Sequence, residues 1–232
     1  VVRVIGLMRV KNEQRFIERS VRSILPVCDE VLVMDDHSSD NTAEICAAIP
    51  GVRVFPSPFT GLNEQRDKNW LLDKARHASH VLMVDGDEVL TPESISVIKE
   101  VLKSENQCFR LKILFAWDRE DQIRTDGVYG RFERASLFRP GNHVFESTAA
   151  GGNFHCGNAP AALQNGAVSI DASLLHFGYM HREDRLRKYE WYNKLDARNY
   201  AEDAYRHMVI GDVFPATAKF KWGGPLKLVP QQ

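Results

Sequence analysis

No two of the four cysteines, Cys28, Cys46, Cys108 and Cys156, form a C-x-x-C pair. That excludes zinc-finger spacing and a small disulfide scaffold, and it predicts buried, reduced thiols in a reducing cytoplasm. No apolar run approaches the roughly 18 residues that cross a bilayer, and the N-terminus lacks the charged-then-apolar layout of a secretory signal. An excess of one charge is also missing. Thirty Lys+Arg stand against 31 Asp+Glu, a net charge of −1, so no global positive field gathers nucleic acid, and any membrane contact is at most peripheral, at the inner face. Gly6 stands alone near the first strand, so the G-x-G-x-x-G turn is absent, and no G-x-x-x-x-G-K-[ST] loop occurs. Repeats and low-complexity tracts are lacking too. Val1 in place of a starting Met predicts a processed chain or a domain cut from something longer.

What remains is one large core: 232 residues, 44% hydrophobic, leave little room for a second. Val2 to Leu7 reads as a strand, and Phe16, Ile17, Val21, Ile24 and Leu25 recur at helical spacing until Pro26. Residues 30–34, 52–55 and 81–84 read as further strands, alternating with helices over 41–48, 63–77 and 91–103. That alternation predicts an α/β fold with a mostly parallel, Rossmann-like sheet and helices on both faces. From Cys108 the period becomes two, which predicts a smaller antiparallel portion continuing through Tyr129 to Phe138. Residues 141–166 read as a long ordered loop or lid, 173–177 as a last strand and 183–198 as a charged helix. The tail from Phe214 shows no readable element.

Both acidic clusters, Asp35-Asp36 and Asp85-Gly86-Asp87, fall at the carboxyl ends of predicted strands, where such sheets bind ligands. Carboxylates do not hold phosphate directly; they hold a hard cation such as Mn²⁺ or Mg²⁺, which then grips a diphosphate. Gly86 lets ribose or phosphate approach the backbone. A calcium loop is excluded, because Val89 and Leu90 stand where it needs an oxygen ligand and a glycine.

The runs 4–13 (VIGLMRVKNE), 31–42 (VLVMDDHSSDNT), 66–69 (RDKN) and 81–88 (VLMVDGDE), in this order and spacing, resemble the successive signatures of family 2 glycosyltransferases with the GT-A fold. Residues 175–179 (LHFGY) with 185–192 resemble the closing segment of bacterial members related to lipopolysaccharide-core transferases. The resemblance implies a nucleotide-diphosphate-sugar donor, uridine by expectation, a divalent metal, inversion at the anomeric carbon, and a glycan or lipid-linked glycan acceptor. It implies a single domain with a nucleotide-sugar-binding half over 1–105, an acceptor half over 106–180 and a C-terminal helix and tail over 181–232. Met8, Arg9 and Glu13 would border the nucleotide, Asp35 and Asp36 would face base or ribose, and Arg66 and Lys68 would offer a basic contact. Asp85 would touch ribose or metal, Asp87 would bind metal, and His176 would complete its coordination. Residues 176–188 would form a lid bringing Arg182 or Arg185 to the diphosphate.

Inverting transfer needs a base near the acceptor hydroxyl. Related members carry Val-His-Glu after a Leu-Phe-Arg segment, whereas this chain has Val144-Phe145-Glu146, so Glu146 is the first candidate, followed by His155 and Asp118. Two other classes stay open. Residues 81–90 also look like the first motif of haloacid-dehalogenase-type phosphatases, and the Phe145 departure fits a noncatalytic sugar-nucleotide or glycan-binding module.

Overall fold

A computed structural model describes residues 2–146, 156–195, 205–209 and 217–219. The first half alternates β1 (Val4–Val10), α1 (Ile17–Ile24), β2 (Glu30–Asp35), α2 (Thr42–Ala47), β3 (Val52–Pro56), α3 (Glu64–Asp73) and β4 (His80–Met83). Then come β5 (Glu88–Leu90), α4 (Ser94–Val101), β6 (Cys108–Trp117), β7 (Arg119–Arg124), β8 (Glu133–Phe138), α5 (Ala161–Gln164), β9 (Val168–His176), α6 (Arg182–Leu195) and β10 (Thr217–Lys219). The main sheet runs β10-β7-β6-β8-β4-β1-β2-β3. Strands β1 to β4 are mutually parallel, β8 runs against both β4 and β6, and β7 against β6. This is the arrangement expected of a GT-A sheet, and it passes without a break across the division expected at 105.

Strands β1, β2 and β4 are buried on both faces, as central parallel strands require, while β3 at the sheet edge is only half-buried. On one face Val4, Met8, Val10, Val31, Val33 and Leu82 pack with Ile17, Val21 and Ile24 of α1 and Ile98 of α4. On the other, Ile5, Leu7, Leu32, Met34, Val81 and Met83 pack with Leu71 and Leu72 of α3. All four cysteines are free and buried, which agrees with their reading as small hydrophobes. Asn63 caps α3 by accepting from the Arg66 N–H at 2.9 Å, and Asp40 caps the start of α2 through the Thr42 N–H at 3.0 Å.

The structure corrects the sequence reading in three places. The acidic turn after β4 leads at once into a strand, β5, too short to show periodicity and held by antiparallel pairing with β9. Within the expected antiparallel portion, the charged stretch 119–124 forms strand β7 between β6 and β10. The tail holds β10, and the expected loop over 141–166 contains α5. No described helix is long and apolar enough to cross a membrane.

Candidate functional site

A cleft of about 1330 Å³ opens where β1, β2 and β4 end. After β1 the chain turns through Asn12 (φ 56°) and after β2 through His37 (φ 55°), left-handed positions that Asn and His tolerate better than most residues. The two loops are tied together. The Asn12 N–H donates to Ser38 Oγ (2.9 Å), Asn12 Oδ1 accepts from the Ser39 N–H (2.8 Å), and the Glu13 N–H donates to Thr42 Oγ1 (2.8 Å). Buried Asp36 accepts from Arg9 Nη2 at 2.8 Å, with Lys11 Nζ at 3.5 Å, while Arg9 Nε donates to buried Asp67 at 2.9 Å. Arg9 therefore lines the cleft with its charge already shared between two carboxylates.

The centre is built from distant parts of the chain. Asp85 accepts from Arg134 (3.0 Å) and from Asn158 Nδ2 (3.2 Å), and Arg134 also reaches Glu88 (2.5 Å). Burial works against ionising Asp85, but Arg134 and Lys68 hold it below the usual carboxylate range. The register Glu88↔His176 between β5 and β9 sets His176 beside the acidic turn. Asp87 accepts from Lys188 Nζ at 2.9 Å, and its other oxygen lies 3.4 Å from His176 Nδ1. His176 and Lys188 overcome burial and keep Asp87 well below its ordinary pKa. Both His176 ring nitrogens are buried with no hydrogen-bond partner among the described residues.

Two glycines make this packing possible. A Cβ at Gly178 would collide with Asp87 and Lys188, and one at Gly86 would lie 2.8 Å from Glu13 Cγ. Burial, followed by the charge of Asp87, pushes the Glu13 carboxyl up to about 9.

No three His, Cys, Asp or Glu side chains converge as a ready metal cage among the described residues. Asp87 and the unpartnered His176 nevertheless fit a cation of the Mg²⁺ or Mn²⁺ type, which commonly takes one or two protein ligands and completes its shell with substrate phosphate and water. Asp85 is committed to Arg134 and Asn158 instead.

Other expected site residues lie elsewhere. Met8 is fully buried in the core, because residue 8 shares a strand face with Val4 and Val10. Asp35 is buried and turned back to accept from the Ser38 N–H (3.1 Å). Arg66 bonds Asp67 and the carbonyls of Thr60 and Gly61. Lys68 lines the cleft, yet its ammonium is held by the Cys156 carbonyl (2.6 Å), Asn158 Oδ1 (3.0 Å) and Glu64 (3.2 Å).

The second half shows similar departures. Arg182 is exposed and off the cleft, and Arg185 is buried against Asp118 (2.9 Å) and the carbonyls of Tyr179 and Met180. Asp118 itself sits at a turn with φ 61°, outside the cleft. Glu146 is exposed beside the cleft-lining Cys156, whose Sγ is 3.7 Å from its carbonyl. The preceding Phe145 is fully buried against Phe138 and clamped at both backbone groups by Asn69. His155 lies outside the described residues.

Sequence reasoning missed Arg134, Asn158 and the pairing of Lys188. Arg134 left one signal: it shares a strand face with Ser136 and buried Phe138, and a cation on such a face needs a buried acid. The cleft side of α6 is Asp184, Arg187, Lys188, Trp191 and Tyr192, a stripe at i, i+3, i+4, i+7 and i+8. Arg182 and Arg185 fall off that stripe.

Comparison with known proteins identifies the family. An uncharacterized glycosyltransferase of Rickettsia bellii is 29% identical over 128 residues, 53% of this chain and 42% of its own. An uncharacterized protein of Mycobacterium tuberculosis is 34% identical over 141 residues, 57% of this chain and 42% of its own. The chain thus spans less than half the length of these relatives. The structure of M. tuberculosis glucosyl-3-phosphoglycerate synthase with Mn²⁺, UDP and phosphoglyceric acid is 22% identical, with a TM-score of 0.40 over 49% of this chain and 43% of that one. The profile of glycosyl transferase family 2 matches residues 7–154, well over half of the sequence, and the chain belongs to that family.

Proposed function

We propose that the protein transfers a sugar from a uridine-diphosphate donor to a hydroxyl of a glycan or lipid-linked glycan, with inversion and with a divalent cation. One observation carries this reading: Asp36 at the end of β2 and the Asp87–His176 pair beyond β4 face one cleft, and the buried His176 Nε2 has no hydrogen-bond partner among the described residues. Family membership supports it.

The acceptor oxygen forms its bond to the anomeric carbon as the bond from that carbon to the diphosphate oxygen breaks. The electron pair leaves with the diphosphate, and the acceptor proton passes to a base, for which Glu146 is the candidate. Asp36, oriented by Arg9, accepts hydrogen bonds from base or ribose, and Asp85, fixed by Arg134 and Asn158, faces the ribose. Asp87 and His176 would hold Mn²⁺ or Mg²⁺, which supplies charge neutralisation to the leaving diphosphate. Lys188 brings a second positive charge to the same place. The reaction belongs in the cytoplasm, with at most peripheral contact to the membrane that carries a lipid-linked acceptor. The phosphatase alternative loses ground to the topology, since the D-G-D strand follows three others instead of opening its domain.

Calorimetric titration of UDP, first with EDTA and then with Mn²⁺, tests the proposal. Binding should be strong only with the cation, because Asp87 beside a diphosphate is otherwise a like-charge contact. Equal affinity in both conditions overturns the metal role, and no UDP binding in either overturns the donor.

A further inference from the structure

We propose that the aromatic wall of the cleft is an acceptor subsite, on which a pyranose ring stacks between Phe132 and Trp191 with its hydroxyls toward the Tyr129–His207 pair. This deepens the transferase reading above and rests on it. The wall starts at the metal-site histidine: the His176 ring lies 5.3 Å from Phe115 and 4.8 Å from Tyr179. Phe115 continues to Phe132 at 5.9 Å and to Tyr129 at 4.9 Å. In the other direction Tyr179 bonds Tyr192 through their side chains, and Tyr192 lies 5.6 Å from Trp191. Phe132 and Trp191 remain 37% and 45% exposed inside the cleft, with Val128 at 48%. Large apolar side chains gathered in the open mark a binding surface.

The wall's polar content selects the occupant. Tyr129 Oη lies 2.5 Å from His207 Nδ1, and with the phenol donating, Nε2 keeps the imidazole proton as a donor. A hydrocarbon chain would bury such tips without partners. A small anionic acceptor meets cations already compensated: Arg187 pairs with Asp184 at 2.9 Å, Arg15 with Asp184 at 3.0 Å and Lys188 with Asp87 at 2.9 Å. A sugar ring, apolar on its C–H face and polar at its rim, satisfies both features, as expected of a concave site lined by aromatics with a few fixed polar groups.

Saturation-transfer NMR with methyl glucoside, methyl galactoside, methyl mannoside and octanol, each in the presence of UDP and Mn²⁺, tests this. At least one glycoside should receive saturation through its ring C–H protons. The signal should fall about fivefold in Trp191→Ala and Phe132→Ala and return in Trp191→Phe, as loss and recovery of a stacking contact predict. UDP affinity, measured calorimetrically on the same samples, should not change. No glycoside signal, a signal indifferent to both variants, or a signal from octanol alone overturns the subsite while UDP binding leaves the transferase reading standing. Failure of the wild type to bind UDP overturns the transferase reading itself.

Discussion

Asp87 spends one oxygen on Lys188 and sets the other beside His176, so Asp87→Asn removes the charge that both of them, and a cation, depend on. Turnover should vanish and UDP binding should lose its response to Mn²⁺, while circular dichroism shows a folded chain, because this residue sits at the sheet rim. Asp36→Ala should weaken UDP binding by about 1–3 kcal/mol, the usual cost of deleting a charged hydrogen-bond partner, with little effect on metal affinity; calorimetry reads both. A third expectation concerns His80, buried at the start of β4, where burial and then Arg139 lower its pKa to about 4. Below pH 6.5 the unfolded chain takes up a proton that the folded chain refuses. The His80 contribution to stability is therefore complete above pH 6.5 and is lost between 6.5 and 4, about 3 kcal/mol in all. Urea midpoints across that window should show the slope in the wild type and lose it in His80→Gln. The acids could be read from sequence because each follows an apolar strand. Arg134 and Asn158 could not, since nothing local says which distant carboxylate they serve.

At the scale of elements, α6 shows why a sequence reading of this charged segment chose other cations than the one that reaches the acidic turn. Its charges are spread around the helix, and only its docking on the acidic turn through Lys188 and Asp87 decides that the stripe through Asp184, Lys188 and Trp191 faces the cleft. If this helix closes over the donor, amides from Phe177 to Lys188 should exchange more slowly when UDP and Mn²⁺ are added together than with either alone. Equal exchange in all conditions would mean a fixed wall. The turn between β9 and α6 is equally constrained: Gly178→Ala would push a methyl into Asp87 and Lys188. Turnover should collapse in that variant, while melting shifts by only the modest amount expected of overpacking at an edge. The parallel strands and their helices were legible because both periods are strong there. β5 and β10 were not, since each is defined by its partner more than by its own residues.

Across the whole molecule, one sheet joins a first half that carries the carboxylates to a second half that carries their counter-charges. Asp85 receives Arg134 from 49 residues further on and Asn158 from 73, and Asp87 receives Lys188 from 101. On the ribosome this order becomes a schedule. The acids emerge first, as neighbours that repel one another, and the groups that quiet them arrive with the strands and the helix made later. A nascent chain ending before β9 has its first-half strands but neither His176 nor Lys188 at the turn. On the proposed function such a chain should turn over no sugar nucleotide, because the group that compensates Asp87 arrives only with α6.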